Sequence, residues 1–342
     1  MSRRGWWLFC ALSVVWGVPY LLIRVAVRDL DPVVVAGGRT LLGALVLLPI
    51  AFRRKVFRPV LRRARVLVAY TVIEIIGPWW LLGWGETKLS SSTAGLLIAI
   101  VPLITAILLA ALGHEKIGGH RIVGLLIGFA GVATLVGLDI HLDNFAAVGA
   151  VLLTALGYAG GAIIINRFLG DLPPLGVITC SLTLAALFYL PFAVIRRPPA
   201  ITAPAGWAVV GLALICTVGA FLLLFALVAE VGASRATVIT YVNPAVAIVL
   251  GILILREPFT IGVAIGFPLI ILGAILATAR SRVRPAAATP PDSVGRSPAL
   301  SPGTPATPRP AAGRPRPTHP RPWSAPTSAP RTDRGSNRTD RR

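Results

Sequence analysis

Two charged side chains lie inside long apolar runs of this sequence, where a charge is energetically costly. Glu74 lies eight residues into one run, and Arg39 lies about six residues into another. A carboxylate at that depth can carry a proton or contact a substrate, or it can form a static pair with a buried cation. Both alternatives stay open from the sequence alone, and Arg39 is the cation that the static pair requires.

Aromatic and amide side chains at similar depth are the other candidates for contacting a small molecule. Aromatic rings supply apolar walls, and an amide supplies a donor and an acceptor. Helix packing is the structural alternative for Trp16, and an interfacial aromatic belt is the alternative for Trp79. The candidate substrate-binding residues are Trp16, Tyr20, Arg39, Glu74, Trp79, Tyr158, Tyr241 and Asn243.

Two prolines and two glutamates punctuate a pair of similar apolar runs. Pro102 and Pro244 each remove a backbone donor within a run, which predicts a helix break at each. Each break is either a tolerated kink or a bend that lines the central cavity and serves in gating. Glu115 and Glu257 follow the same two runs and precede the next ones. We expect these carboxylates to act as structural caps at the positive N-terminal end of the next helix, with a transport role as the alternative.

Catalytic, metal-binding and nucleotide-binding patterns are absent from the sequence. It contains no HExxH, no GxSxG and no GxxxxGK[ST], and its three cysteines have no CxxC spacing. We therefore predict no enzyme activity, no metal, no cofactor and no direct use of ATP. Proton coupling through Glu74 is the one possibility of this kind that the sequence leaves open.

These residues must be positioned by helices that cross a lipid bilayer. Hydrophobic residues make up 55% of the 342-residue chain and charged residues 13%, against about 25% charged residues in globular proteins. The mean hydropathy is +0.79. Apolar runs of about 20 residues predict transmembrane helices. The ten predicted spans are 6–27, 33–52, 66–84, 91–112, 122–138, 146–166, 174–194, 207–228, 236–254 and 262–280.

Lysine and arginine are distributed unequally between the two sides of a ten-span arrangement. The connections on one side carry thirteen of them, including the run "RRKVFRPVLRRAR", and the connections on the other side carry five. Positive charge is retained on the cytoplasmic side of a membrane. We therefore predict a multi-pass protein of the cytoplasmic membrane with both termini in the cytoplasm.

The segment 284–342 is rich in proline, alanine, serine, threonine and arginine, which predicts a disordered cytoplasmic tail. Binding of this tail to anionic lipids is the functional alternative. The formal net charge of +20 does not indicate a nucleic-acid partner, because no basic segment is interleaved with aromatic residues.

The first and second halves of the sequence match at a constant shift of 142 positions without a gap. Several matches involve residue types that are uncommon in apolar runs. Examples are Asp29 with Asp171, Pro32 with Pro174, Pro102 with Pro244, Glu115 with Glu257 and Gly131 with Gly273. Because each half has five predicted spans, the second half enters the membrane from the opposite side. Two inverted halves around a central site are typical of secondary transporters.

Two long segments resemble the closing part of the EamA repeat of the drug/metabolite transporter superfamily. They are "SSSTAGLLIAIVPLITAILLAALGHEKIGGHRIVGLLIGFAGVATLVG" and "GASRATVITYVNPAVAIVLGILILREPFTIGVAIGFPLIILGAILATA". The segment "WGVPYLLIRVAVRDLDPVVVAGGRTLLGALVL" resembles the opening helix pair. The resemblance covers about residues 6 to 280 and implies a ten-helix inverted-repeat carrier of small metabolites. The chain departs from the family in "GHE", where Leu-Gly-Glu is more usual.

The sequence therefore predicts an all-α integral membrane protein with two inverted five-helix repeats, 6–138 and 146–280, followed by the tail. Its predicted function is alternating-access transport of a small organic solute (a metabolite, amino acid or drug), with efflux as the preferred direction. The alternative is a membrane-embedded scaffold or lipid-modifying protein without transport activity. The sequence does not indicate an oligomeric state.

Overall fold

The computed structural model of this chain describes residues 2–113, 118–232 and 237–278. Glu115 and the predicted tail at 284–342 lie outside the described residues, so what was expected of them stays a prediction.

The described part of the chain contains nine helices that are long and apolar enough to cross a membrane, and one shorter apolar helix. This confirms the predicted all-α membrane fold. In chain order they are α1 (Arg3–Ala26), α2 (Pro32–Arg53), α3 (Ala64–Glu86), α4 (Ser91–Ala111), α5 (Gly119–Asp139), α6 (Leu142–Leu169), α7 (Pro174–Arg196), α8 (Ala203–Val231), α9 (Ile239–Leu255) and α10 (Ile261–Thr278). The short helix is α9, which begins within a 3₁₀ turn, Thr237–Tyr241.

Polar side chains define where several helices begin. The Asp31 carboxylate accepts a hydrogen bond of 2.9 Å from the backbone N–H of Val33, and Pro32 occupies the first helical position of α2. The Ser90 hydroxyl accepts a hydrogen bond of 3.1 Å from the N–H of Thr93 at the start of α4. Both side chains satisfy donors that the first helical turn leaves free.

The helices α5 and α10 pack in an antiparallel pair through glycines that correspond under the shift of 142. A Cβ atom at Gly131 would lie 2.9 Å from the backbone nitrogen of Ile270, and one at Gly273 would lie 2.4 Å from that of Gly128. Gly131 corresponds to Gly273 under the shift, and Gly128 corresponds to Ile270. The two contacts are therefore equivalent in the two halves. Because the corresponding helices run in opposite directions, a local two-fold axis perpendicular to them relates the two halves, as in an inverted repeat.

The third helix of each half contains a π-helical turn at the same position. These turns are Val72–Ile76 in α3 and Leu214–Gly219 in α8. A π turn adds one residue to the helix locally and rotates the side chains that follow it. The two halves therefore share an irregular backbone, although the side chains on it differ in chemistry.

The prolines of α4 and α9 each lie at the second position of a newly started helical segment. Val101–Ala111 begins after a turn at Ala99 and Ile100, and Asn243–Leu255 begins after the 3₁₀ turn. The backbone N–H groups in the first turn of a helix have no partner within that helix, so a proline there loses no hydrogen bond. The helix break before each proline also avoids the clash that proline causes inside a helix. The structure thus has a helix break at Pro102 and at Pro244, and their role in gating stays a prediction.

Polar contacts between helices gather at both ends of the bundle, and we name each end by one residue. The Glu257 end contains the C-terminal ends of α1, α3, α5, α7 and α9, and its interhelical ion pair joins Arg196 to Asp31 at 3.1 Å. At the opposite Asp171 end, Arg63 joins Asp171 at 2.6 Å. The strongly basic run at 53–65 belongs to the Asp171 end.

Candidate functional site

Arg39 of α2 is the charged side chain at the centre of the bundle, with only 8% of its surface exposed. Its Nε donates a hydrogen bond of 2.8 Å to the hydroxyl of Thr217 in α8. Its guanidinium carbon lies 3.7 Å from the ring centroid of Trp79 in α3. These contacts stabilise the cation through one hydrogen bond and through the negative face of an indole.

The predicted static pair between Arg39 and Glu74 is not formed, so that alternative is wrong. Among the described residues, no carboxylate lies within ion-pair distance of Arg39. Glu74 lies in the π turn of α3 and faces α6, where a Cβ atom at Gly161 would come within 1.9 Å of its Oε2 atom. The Oε2 atom is buried without a hydrogen-bond partner.

Two tyrosines from other helices complete the surroundings of Arg39. Tyr20 of α1 and Tyr158 of α6 are both electrostatic neighbours of the guanidinium, and Tyr158 also lies within reach of Trp79. Tyr20 is buried and Tyr158 is half-buried. Four of the eight predicted site residues therefore come together from four helices. We call Tyr20, Arg39, Trp79, Tyr158 and Thr217 the central site.

Thr217 was missed by the sequence reasoning, although it is the hydrogen-bonding partner of Arg39. It lies in the π turn of α8, and its hydroxyl donates to the carbonyl of Leu212 at 2.8 Å. That bond spans five residues, as the extra residue of a π turn allows. No apolar periodicity predicts such a turn, so the sequence contained no signal for this contact.

Three predicted site residues lie away from the central site. Trp16 is partly buried and packs with Leu12 and its apolar neighbours. The hydroxyl of Tyr241 hydrogen-bonds with Thr278 in α10. Asn243 donates through its amide to the carbonyls of Ile239 and Ser13, at 3.0 and 3.2 Å. These contacts join helices to one another, and none of them involves Arg39.

Glu257 caps a different helix from the predicted one. Its carboxylate accepts hydrogen bonds from the backbone N–H groups of Ser91 and Ser92, at 2.7 and 3.0 Å, and from both hydroxyls, at 3.0 and 2.6 Å. These residues begin α4, whereas the prediction was α10. At the start of α10, the N–H of Gly262 instead donates to Asp139 at 3.1 Å. We call the contact of Glu257 with Ser91 and Ser92 the Glu257 latch.

Glu86 is a second functional candidate that the sequence reasoning missed. It is the last residue of α3 and is fully buried, yet neither carboxylate oxygen has a hydrogen-bond partner. The predicted third span ended at residue 84, which left Glu86 outside the membrane. The sequence signal was the acidic residue in "GWGETK", where the apolar run ends.

An open cleft of about 390 Å³ lies between α4 and α6 toward the Asp171 end. Its walls include Thr105 and Leu109 of α4 and Asn166 and Arg167 of α6. Polar contacts join segments at both ends, through the Glu257 latch at one end and through Arg63 and Asp171 at the other. The cleft between α4 and α6 lies toward the Asp171 end. In the described ranges, no three histidine, cysteine, aspartate or glutamate side chains are grouped to hold a metal ion.

Comparison with known proteins finds that the sequence of this chain is similar to those of transporters. Residues 3–137 and 145–279 each match the sequence profile of the EamA-like transporter family. The uncharacterized transporter YvbV of Bacillus subtilis (strain 168) is 26% identical over 295 residues, which cover 82% of this chain and 93% of YvbV. An uncharacterized transporter of Archaeoglobus fulgidus is 25% identical over 278 residues, which cover 78% of this chain and 96% of that protein.

Two further comparisons extend the likeness. The uncharacterized inner membrane transporter YedA of Escherichia coli (strain K12) is 27% identical over 251 residues, which cover 70% of this chain and 79% of YedA. A protein of known crystal structure, 20% identical in sequence, superposes on this chain with a TM-score of 0.60. The match covers 81% of this chain and 98% of that protein's chain. The structural likeness concerns the fold alone.

Proposed function

Because this chain belongs to the EamA-like transporter family, we propose that it is a secondary carrier that moves small organic solutes across the cytoplasmic membrane by alternating access. Family membership and the named relatives support a membrane transporter. The finer assignment depends on one observation, which is the buried Arg39 that has no carboxylate partner among the described residues.

The environment of Arg39 favours a solute with a carboxylate group. A buried cation without an anionic partner is costly, and a bound carboxylate would remove that cost through paired hydrogen bonds to the guanidinium. Trp79, Tyr20 and Tyr158 supply apolar and aromatic surface for the rest of the solute. We therefore expect organic acids and amino acids with an apolar or aromatic body to be better substrates than cationic drugs.

The difference between the two ends of the bundle supports alternating access with loading from the cytoplasm. The Glu257 latch joins α4 to the connection between α9 and α10, whereas the cleft between α4 and α6 lies toward the Asp171 end. The excess of lysine and arginine at the Asp171 end supports a cytoplasmic position for that end. A solute that enters there and leaves at the Glu257 end is exported, so efflux is the direction that we infer.

Solute counterflow into proteoliposomes tests the carrier assignment. Vesicles with purified protein are loaded with one unlabelled solute and are then supplied with the same solute in labelled form. The panel contains aromatic and aliphatic carboxylic acids, amino acids, the methyl ester of each acid, and cationic drugs. We expect the acids to exchange and the esters to fail, because an ester has no anionic oxygen for Arg39. Failure of every solute to cross faster than in empty vesicles would contradict the carrier assignment.

Single cysteines introduced at the two ends test the orientation. The background replaces the three native cysteines, and the reporters are Arg58→Cys at the Asp171 end and Phe259→Cys at the Glu257 end. In intact cells, a membrane-impermeant maleimide should label position 259 and leave position 58 unlabelled. The opposite labelling would place the Asp171 end outside the cell and would reverse the inferred direction.

A further inference from the structure

Glu86 differs from the other described acidic residues because its whole carboxylate is isolated. The side chain is fully buried, and both oxygens lack a hydrogen-bond partner. Its backbone carbonyl, by contrast, accepts a hydrogen bond from the Arg24 guanidinium of α1. A carboxylate in this setting loses its hydration without receiving donors in return, which strongly disfavours the ionised form.

The charged and titratable groups that face Glu86 come from three elements. Tyr20 and Arg24 of α1, Tyr158 of α6, and Glu257 of the connection between α9 and α10 each interact electrostatically with Glu86. Arg24 is the one cation of this set, and its guanidinium is already close enough to bond the main chain of Glu86. If Glu86 ionises, Arg24 favours the carboxylate whereas Glu257 opposes it.

The position of Glu86 links the central site to the Glu257 latch. Tyr20 and Tyr158 belong to the central site, and the Glu257 carboxylate accepts the four hydrogen bonds that join it to the start of α4. A second negative charge beside Glu257 repels it, which weakens the latch. Under the shift of 142, Glu86 corresponds to Val228, so the other half has no carboxylate at this position.

We propose that Glu86 is a proton-binding site and that its bound proton holds the Glu257 end of the carrier closed. Loss of the proton to water creates a carboxylate, which Arg24 stabilises and Glu257 repels, and the latch then opens. Return of the proton neutralises Glu86 and allows the latch to close. The proton thus gates access to the central site from one side of the membrane, which rests on the alternating access of the proposed function.

Labelling of a buried cysteine beneath the latch tests this proposal without any solute. Ala94 of α4 is fully buried below Ser91 and Ser92, and Ala94→Cys in the background without native cysteines reports opening of the Glu257 end. Ionisation of any thiol speeds its reaction with maleimide as the pH rises, so the labelling rate is expressed relative to that of the exposed reporter Phe259→Cys. We expect this relative rate to rise between about pH 6 and about pH 9. One coupled proton limits the change to about tenfold per pH unit.

Two substitutions assign the effect to a residue. Glu86→Gln removes the ionised state, so the labelling rate relative to Phe259→Cys should be low and independent of pH. The matched control is Glu74→Gln, because Glu74 is the other described glutamate with a buried, unpartnered oxygen, and it should keep the wild-type pH dependence. A Glu86→Gln protein that retains the wild-type pH dependence overturns the proposal, and so does loss of that dependence in Glu74→Gln alone.

A second variant keeps the test decisive if Glu86→Gln does not fold. Arg24→Gln removes the cation beside the carboxylate, so the rise in relative labelling should move to higher pH. An unchanged midpoint in Arg24→Gln would overturn the proposal. Failure of the proposed function gives a different result. A Glu257 end that never opens gives no labelling at any pH, whereas an ungated carrier is labelled at a rate that, relative to Phe259→Cys, does not change with pH.

Discussion

The guanidinium carbon of Arg39 lies 3.7 Å from the centroid of the Trp79 ring, so the cation stacks on an indole face in the interior of the bundle. The Nε atom is the nitrogen that binds Thr217. In the part of the chain that the structure describes, no residue forms an ion pair with the terminal nitrogens. One side of the guanidinium is therefore fixed by Thr217 and Trp79, and the proposed carboxylate ligand would bind its terminal nitrogens.

Arg39→Lys should reduce carboxylate counterflow by about tenfold or more. Lysine keeps the positive charge, but it loses the planar stacking on Trp79 and the fork that pairs with a carboxylate. A loss of about 1.4 kcal/mol corresponds to a factor of ten in binding. Counterflow in proteoliposomes measures the effect, and Arg196→Lys is the matched control because Arg196 is exposed at the Glu257 end. Counterflow at the wild-type rate in Arg39→Lys would remove Arg39 from solute binding.

The sequence predicted those features that local patterns determine. The length of each apolar run predicts a transmembrane helix, because it depends only on neighbouring residues. The shift of 142 predicts the two repeated halves, because it depends only on matched positions in the sequence. It also identified Tyr20, Arg39, Trp79 and Tyr158, since polar and aromatic groups at membrane depth are uncommon.

The remaining contacts depend on packing between distant segments, which the sequence does not encode locally. The Glu257 latch joins residues that are 165 and 166 positions apart. The π turns of α3 and α8 rotate Glu74 toward α6 and direct Thr217 to Arg39. Glu86 was missed because the hydropathy of its run falls just before it, although the helix continues to that residue.

Gly251→Ala should destabilise the protein by about 1–3 kcal/mol, the usual range for overpacking. A Cβ atom there would lie 2.3 Å from Oε2 of Glu257 and 2.4 Å from the hydroxyl oxygen of Ser92, so the Glu257 latch must separate. The melting temperature in detergent measures the change. Gly149→Ala is the control, because no atom lies within 4 Å of a Cβ there and alanine favours the helix by up to about 1 kcal/mol. Equal melting temperatures for the two variants would contradict this packing.

Asp171→Asn should lower the thermal stability at neutral pH and have no effect in acid. Arg63 donates to both carboxylate oxygens of Asp171, at 2.6 and 2.7 Å, and this hydrogen bonding holds the pKa of that carboxyl below its usual range. A lowered pKa in the folded state contributes stability above the ordinary carboxyl range, and the contribution disappears as the pH falls through the folded-state pKa. Both side chains are solvent-exposed, so the difference in melting temperature should be small.

A pH series of melting temperatures for wild type and Asp171→Asn checks this prediction. The gap between the two curves should close as the pH is lowered. Asp143→Asn, an exposed aspartate at the Glu257 end, serves as the control for the general effect of removing one negative charge. A gap of constant size down to strongly acidic pH would show that the ion pair is not its source.

Gly273→Ala should destabilise the protein by about 3 kcal/mol, the upper end of the usual cost of overpacking. This is the largest effect expected among the glycine substitutions considered. Its Cβ atom would lie 2.4 Å from the backbone nitrogen of Gly128 and 2.7 Å from the carbonyl oxygen of Gly124. Backbone atoms cannot move aside by a change of rotamer, so α5 and α10 must separate along their length. Gly137→Ala, on the exposed face of α5 with no atom within 4 Å, is the control and should be neutral or stabilising. Melting temperatures in detergent measure both effects. If Gly273→Ala melts with the wild type, then the close antiparallel contact that relates the two halves is wrong.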